Sequence, residues 1–143
     1  MSGTNPKIRF ISKEHKQFYK KMMQKSGVDD SYHRSFFYCM GISEVTRANI
    51  GKLYNFERGY AEPDGLHEGW QTGSSQRLTR LALNLWNGYA EQGEEQMSTP
   101  YELFSCEYAP YFYEAIKLRY PEYCKELPSG RDGMDKKEQE RVR

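Results

Sequence analysis

The chain has 143 residues and a formal net charge of +1, from 21 Lys and Arg against 20 Asp and Glu. A chain of this length makes one domain with a core of its own, and so balanced a charge gives no general attraction to nucleic acid or to an anionic membrane. Three widely spaced cysteines exclude a disulfide scaffold and a Cys-x-x-Cys metal site, and no apolar run is long enough for a membrane helix.

The composition predicts an aromatic-rich core, because 12 Tyr, 7 Phe and 2 Trp make up for scarce aliphatic residues. Periodicity predicts a mainly α fold: a compact single domain of five or six helices at 7–127. We expect a disordered N-terminus at 1–6 and a charged flexible tail at 128–143. The start of the chain lacks a signal-peptide pattern, which favours a cytoplasmic protein with reduced cysteines.

The first half of the chain predicts three helices. The first runs from a cap at Ser12 to about residue 26, before Gly27. The second covers 31–40 with Tyr32 facing inward, and the third covers about 44–55 after a cap at Ser43. Residues 7–11 are the one short strand candidate. Residues 56–71 have neither helical nor strand periodicity, and we interpret them as an ordered loop with a function.

The second half predicts the clearest helix of the chain at about 74–87, with an inward apolar stripe and a stop at Gly88. An acidic link follows at 90–98. Thr99 and Glu102 then have the spacing of a capping box for a short helix, and a last helix covers about 110–120.

The approach to the helix at 74–87 is one candidate site. A phosphate or carboxylate can be held by free N–H groups at a helix start, by nearby hydroxyls and by two arginines three residues apart. A tryptophan beside them can stack on a base. The candidate anion- or nucleotide-binding residues are Trp70, Gln71, Thr72, Ser74, Ser75, Arg77 and Arg80. The alternative interpretation is structural: the hydroxyls cap the helix, Trp70 fills the core, and the arginines pair with Glu62, Glu68 or the acidic link at 90–98.

Catalytic and metal chemistry find little support in the sequence. His67 beside Glu68 suggests acid–base chemistry, but the His-Glu-x-x-His zinc pattern is absent because residue 71 is Gln. The other two histidines belong to different predicted helices, and no nucleophile motif is present. We therefore predict no metal, no cofactor and no catalytic residues, and an enzyme built on His67 and Glu68 is the third hypothesis.

A partner-binding surface is the second candidate site. The first helix has a basic face, and residues 101–123 hold six tyrosines, more than the packing of one helix requires. Tyr and Arg are the residue types that dominate protein–protein hot spots, whereas lysines without exposed aromatic neighbours give only weak support for nucleic-acid binding. The candidate partner-binding residues are Lys13, Lys16, Lys20, Tyr111, Tyr113, Arg119 and Tyr120.

Three segments carry a resemblance: RFISKEHKQFY at 9–19, GLHEGWQTGSSQRLTRLALNLWNGY at 65–89 and TPYELFSCEYAPYFYEAIKLRYPEYC at 99–124. Together they resemble a domain-of-unknown-function family of small proteins found in Firmicutes, their phages and their mobile elements. The resemblance implies no catalytic residues. It implies a small cytoplasmic protein of a mobile element, where inhibitors of host defence, including anti-CRISPR proteins, are common. The leading hypothesis is therefore a non-enzymatic protein-binding module that inhibits a host defence nuclease, ahead of an anion or nucleotide binder.

Overall fold

The computed structural model describes residues 7–125, so the N-terminus predicted at 1–6 and the tail predicted at 128–143 lie outside the described residues. Helix α1 (Lys13–Ser26) begins where the Ser12 side chain accepts a hydrogen bond from the backbone N–H of His15, and ends at Gly27 with φ 73°. Helix α2 (Ser31–Met40) begins at Asp30, whose side chain accepts from the N–H of His33. Both helices and the predicted cap at Ser12 are confirmed, and side-chain caps at Ser12 and Asp30 satisfy N–H groups that the first turn leaves unpaired.

The central helix of the fold is α2. It packs against α1, α4 (Gly73–Asn87) and α6 (Ala109–Arg119), and its residues from Phe36 to Met40 are fully buried. Tyr32, predicted to face inward, is instead 43% exposed. Its ring lies at the edge of the core beside Trp86, so the first turn of α2 reaches the surface.

The prediction of a helix over 44–55 is wrong. Helix α3 (Glu44–Ala48) ends where the Asn49 side chain donates to the carbonyl oxygen of Val45 at 2.8 Å, a local bond that competes with helix propagation. A 3-10 turn (Ile50–Lys52) follows, and then strand β1 (Tyr54–Asn55) pairs antiparallel with β2 (Tyr60–Ala61). This small hairpin, which the sequence reading placed partly in a helix and partly in an irregular loop, buries the Tyr54 ring.

The second half follows the prediction with smaller differences. Helix α4 ends at Gly88 with φ 81°, as expected. The short helix α5 (Pro100–Leu103) has no side-chain cap, because the Thr99 hydroxyl donates to the carbonyl oxygen of Gln96 at 2.8 Å; the predicted capping box is therefore wrong. Residues 7–11, the strand candidate, pair with no strand in the described part of the chain.

The aromatic-rich core is confirmed. Rings of α2, β1 and α4 meet edge to face: the Phe37 and Tyr54 centroids lie 4.9 Å apart, and those of Phe36 and Trp86 lie 5.7 Å apart. Six α-helices and one two-stranded sheet among residues 7–125 make the fold mainly α. Within the same residues, none of the helices combines the length and the apolar character that crossing a membrane requires.

Gly65 holds the 3-10 turn Pro63–His67 against the segment before β1, and it provides a test of this packing. A Cβ at Gly65 would collide with the backbone carbonyl oxygen of Lys52 and lie 2.7 Å from Cδ2 of Leu53. Because a backbone carbonyl cannot rotate away, we expect Gly65→Ala to lower the free energy of unfolding by about 2 kcal/mol in urea denaturation. The control is Gly69→Ala, whose Cβ would meet nothing within 4 Å. Equal losses in the two variants would contradict this packing.

Candidate functional site

The hydroxyls at the start of α4 are engaged in closing the helix. The Thr72 hydroxyl accepts from the N–H of Ser75 at 3.0 Å, and the Ser75 hydroxyl accepts from the N–H of Thr72 at 2.7 Å, which is a complete capping box. Gln71 accepts from the same Ser75 hydroxyl and donates to Thr79. The Ser74 hydroxyl donates to the Glu107 carboxylate at 2.7 Å, and this bond lowers the pKa of Glu107.

The two arginines near this helix start bind different carboxylates. Arg77 donates from Nε to the carbonyl oxygen of Glu102 at 2.9 Å and lies 4.0 Å from its carboxylate. Arg80, whose side chain is only 6% exposed, places one guanidinium nitrogen 3.0 Å from Glu91. The structure therefore gives both guanidinium groups internal partners. Anion or nucleotide binding here stays a prediction, with the Trp70 ring packed against the core rather than standing over an open site.

His67 is paired with Glu91 and not with its sequence neighbour Glu68. Its Nε2 lies 2.7 Å from one Glu91 oxygen, while Arg80 lies against the other. Burial raises the pKa of the Glu91 carboxyl, but the bonds from His67 and Arg80 outweigh burial and hold it below its usual value. The remaining ring nitrogen of His67 lies 3.5 Å from the Gln76 amide. Its partners are thus a carboxylate and an amide, and neither is a nucleophile that a histidine base would activate.

A second histidine cluster links α2 to the hairpin. Nδ1 of His33 lies 2.8 Å from the Asp30 carboxylate, and Nε2 of His33 lies 2.9 Å from the Tyr54 hydroxyl. The Asp-x-x-His spacing at 30–33 is visible in the sequence, but nothing in the sequence points to Tyr54, which comes 21 residues later. Because Tyr54 and His33 are both buried, this chain of bonds fastens α2 to β1 and offers no surface for a substrate.

The candidate partner-binding residues do not form one continuous surface. Lys20 on α1 lines a groove that α1 forms with α6, whereas Lys13 and Lys16 are exposed on α1 outside it. Tyr111 and Tyr113 line a neighbouring cleft of about 590 Å³ that also includes Arg9 and Phe10.

Arg119 and Tyr120 lie at the end of α6 beside Tyr32. The Arg119 guanidinium carbon is 3.9 Å from the centre of the Tyr32 ring and 4.7 Å from that of Tyr120. Its Nε donates to the carbonyl oxygen of Leu85 at 2.7 Å, which fixes the guanidinium against α4. The sequence reading listed Arg119 and Tyr120 but missed Tyr32, because periodicity assigned Tyr32 to the core.

Metal-binding chemistry finds no ready-made site. Within residues 7–125 no group of three His, Cys, Asp or Glu side chains is close enough to hold a metal ion. Cys39 is fully buried, and burial raises the pKa of its thiol well above the ordinary value, so the thiol is inert.

Comparison with known proteins gives a family and no function. No curated protein and no solved structure matches the chain. The model of a family of unknown function, DUF6075, matches residues 5–132. Because this match covers most of the chain, the protein belongs to the DUF6075 family.

Proposed function

We propose that this protein is a non-enzymatic binding module, and that its partner docks on the tyrosine surface formed by Tyr32, Arg119 and Tyr120. The observation that carries the proposal is the position of Arg119 between two exposed tyrosine rings. Tyr32 is 43% exposed and Tyr120 38%, so both present ring area to a partner.

The tyrosine surface is rigid. Arg119 is held by its bond to the Leu85 carbonyl and stacks on Tyr32 and Tyr120 at the same time. Aromatic side chains that are already ordered lose little conformational entropy when a partner covers them, so more of their contact energy remains for binding.

The kind of partner follows from the resemblance to proteins of phages and mobile elements. Inhibitors of host defence are common in that setting, and an inhibitor that acts by binding needs a surface and no catalytic residues. A host defence nuclease, including a CRISPR nuclease, is therefore the partner to test first.

The experiment combines partner capture with a nuclease assay. The tagged protein is expressed in a bacterial host that carries a CRISPR system, stoichiometric partners are identified, and the purified protein is titrated into DNA cleavage by that nuclease. We expect Tyr32→Ser with Tyr120→Ser to weaken binding at least tenfold. The control is Tyr101→Ser, an 85% exposed tyrosine on α5 outside the tyrosine surface.

Two results would count against the proposal. If capture yields no stoichiometric partner, the proposal that the protein is a binding module is contradicted. Equal weakening by the Tyr101 control and by the double variant would place the interface somewhere other than the tyrosine surface.

A further inference from the structure

A groove of about 880 Å³ separates the second half of α1 from α6. The lining also includes residues 27–29 of the loop between α1 and α2, residues 7–8, and Pro121, Cys124 and Lys125. Sites for small ligands have volumes of roughly 300–1,000 Å³, so this groove is large enough for one. It is distinct from the tyrosine surface, whose tyrosines do not line it.

The inner wall of the groove is apolar. Ile8, Met23 and Leu118 are partly buried members of the hydrophobic core that reach this wall, and Val28 is exposed at its edge. An occupant with a hydrocarbon body would cover this surface and remove it from water, which favours binding in proportion to the apolar area covered.

The charges around the groove leave an excess of cations. Asp29 pairs with Arg34 at 2.5 Å, and Glu114 pairs with Lys117 at 3.2 Å, which accounts for both acids of the lining. Three further lysines line the groove, and within residues 7–125 no carboxylate comes within ion-pair distance of them; they are Lys7, Lys20 and Lys125. Their combined field attracts an anion.

Tyr19 adds a hydrogen-bond donor to this wall. Its side chain is only 8% exposed, and its hydroxyl has no hydrogen-bond partner among residues 7–125. Burial raises the pKa of Tyr19 to about 12, so the phenol is protonated at neutral pH, and Tyr19 is one of the residues that line the groove. Its O–H can therefore donate a hydrogen bond to an acceptor that a ligand brings into the groove.

We propose that this groove binds a small amphipathic anion, an unbranched hydrocarbon chain that ends in one carboxylate. The chain lies on Met23 and Leu118, and the carboxylate accepts the hydrogen bond of the Tyr19 hydroxyl and pairs with Lys20. This site goes beyond the proposed partner binding and does not depend on it.

The test compares three probes with the same twelve-carbon chain and different head groups: dodecanoate, dodecylammonium and dodecyl maltoside, all below micelle formation. Isothermal titration calorimetry is expected to show dodecanoate binding at least tenfold more tightly than the other two. Labelled methionine methyl groups give the location: the Met23 signal shifts on titration, whereas that of Met97, on the turn Glu95–Ser98 outside the groove, does not.

Two variants test the head-group contacts. Tyr19→Phe removes only the hydroxyl and is expected to weaken dodecanoate binding about fivefold, the effect of one lost hydrogen bond. Lys20→Glu reverses a rim charge and is expected to weaken binding more than tenfold. Lys16→Glu is the matched control, because Lys16 is an exposed lysine of the same helix that does not line the groove.

Three outcomes would overturn the proposal. Equal affinity for the three head groups means non-specific adsorption of hydrocarbon. A shift of Met97 without a shift of Met23 places the ligand elsewhere. If the protein sediments with phosphatidylglycerol vesicles but does not bind monomeric dodecanoate, the lysines face a lipid surface and the groove does not hold a single hydrocarbon chain.

Discussion

Acidification from pH 7 to pH 5 is expected to lower the free energy of unfolding by about 2 kcal/mol through His15 alone. His15 is fully buried, its Nδ1 accepts from the N–H of Ile11 at 3.1 Å, and its Nε2 donates to the carbonyl oxygen of Tyr38 at 2.8 Å. This pair of bonds requires the neutral ring. Burial lowers the pKa of His15 to about 4; the Tyr38 carbonyl opposes this shift and the charge of Arg47 adds to it.

The sign of the effect follows from the two pKa values. The unfolded chain takes up a proton on this histidine near pH 6.5, and the folded protein does so only near pH 4. Between these values the unfolded state binds more protons, so stability falls as the pH falls from 6.5 towards 4 and is constant above that window.

The measurement is urea denaturation at half-unit intervals from pH 7 to pH 5. The His15→Gln side chain keeps an acceptor and a donor but does not titrate. Between pH 7 and pH 5 the free energy of unfolding of this variant should therefore fall by about 2 kcal/mol less than that of the original protein. Most of the window lies above the titration of Asp30 and Glu91, whose carboxyl pKa values are both held low. A slope that is the same in His15→Gln would contradict the assignment.

Local signals explain why so much of the fold is predictable. Ser12 and Asp30 begin helices, and Gly27 and Gly88 end them with positive φ. These signals are local, because the backbone groups left unpaired at a helix end form hydrogen bonds with atoms only a few residues away. The hairpin at 54–61 was missed because two residues per strand give no periodicity. Its stability comes from burying the Tyr54 ring, and burial against distant residues leaves no mark in the local pattern.

The candidate sites show the same limit. The sequence correctly drew attention to Arg77 and Arg80, because two arginines at a helix start are visible from spacing. It offered Glu62, Glu68 or the acidic link at 90–98 as their partners; Arg80 pairs with Glu91 of that link, whereas Glu102, the partner of Arg77, lies outside all three. Only the assembled fold determines which acid reaches each arginine, and only there does Tyr19 join the lining of the groove.

Glu91→Ala is expected to lower the free energy of unfolding by about 3 kcal/mol, because it removes the carboxylate that faces the buried Arg80 guanidinium. The loss is large because one Arg80 nitrogen is already buried with no hydrogen-bond partner among residues 7–125. Replacing both members, as Arg80→Met with Glu91→Ala, removes the stranded charge and should therefore cost less than Glu91→Ala alone. Arg77→Met is the control: it removes a partly exposed ion pair of 4.0 Å and one hydrogen bond to the Glu102 carbonyl oxygen, so we expect a smaller loss of about 1 kcal/mol.

This set of variants also decides between the two interpretations of the arginines. If Arg80 is a structural partner of Glu91, the double variant is more stable than Glu91→Ala alone. In that case inorganic phosphate also changes the stability of the original protein no more than chloride does at equal ionic strength. If Arg80 and Arg77 instead hold an anion, phosphate stabilises the original protein by ligand linkage, and the Arg77 and Arg80 variants lose that increment. The 3.0 Å contact between Arg80 and Glu91 favours the structural result, since an anion would have to displace a carboxylate that is also bound to His67.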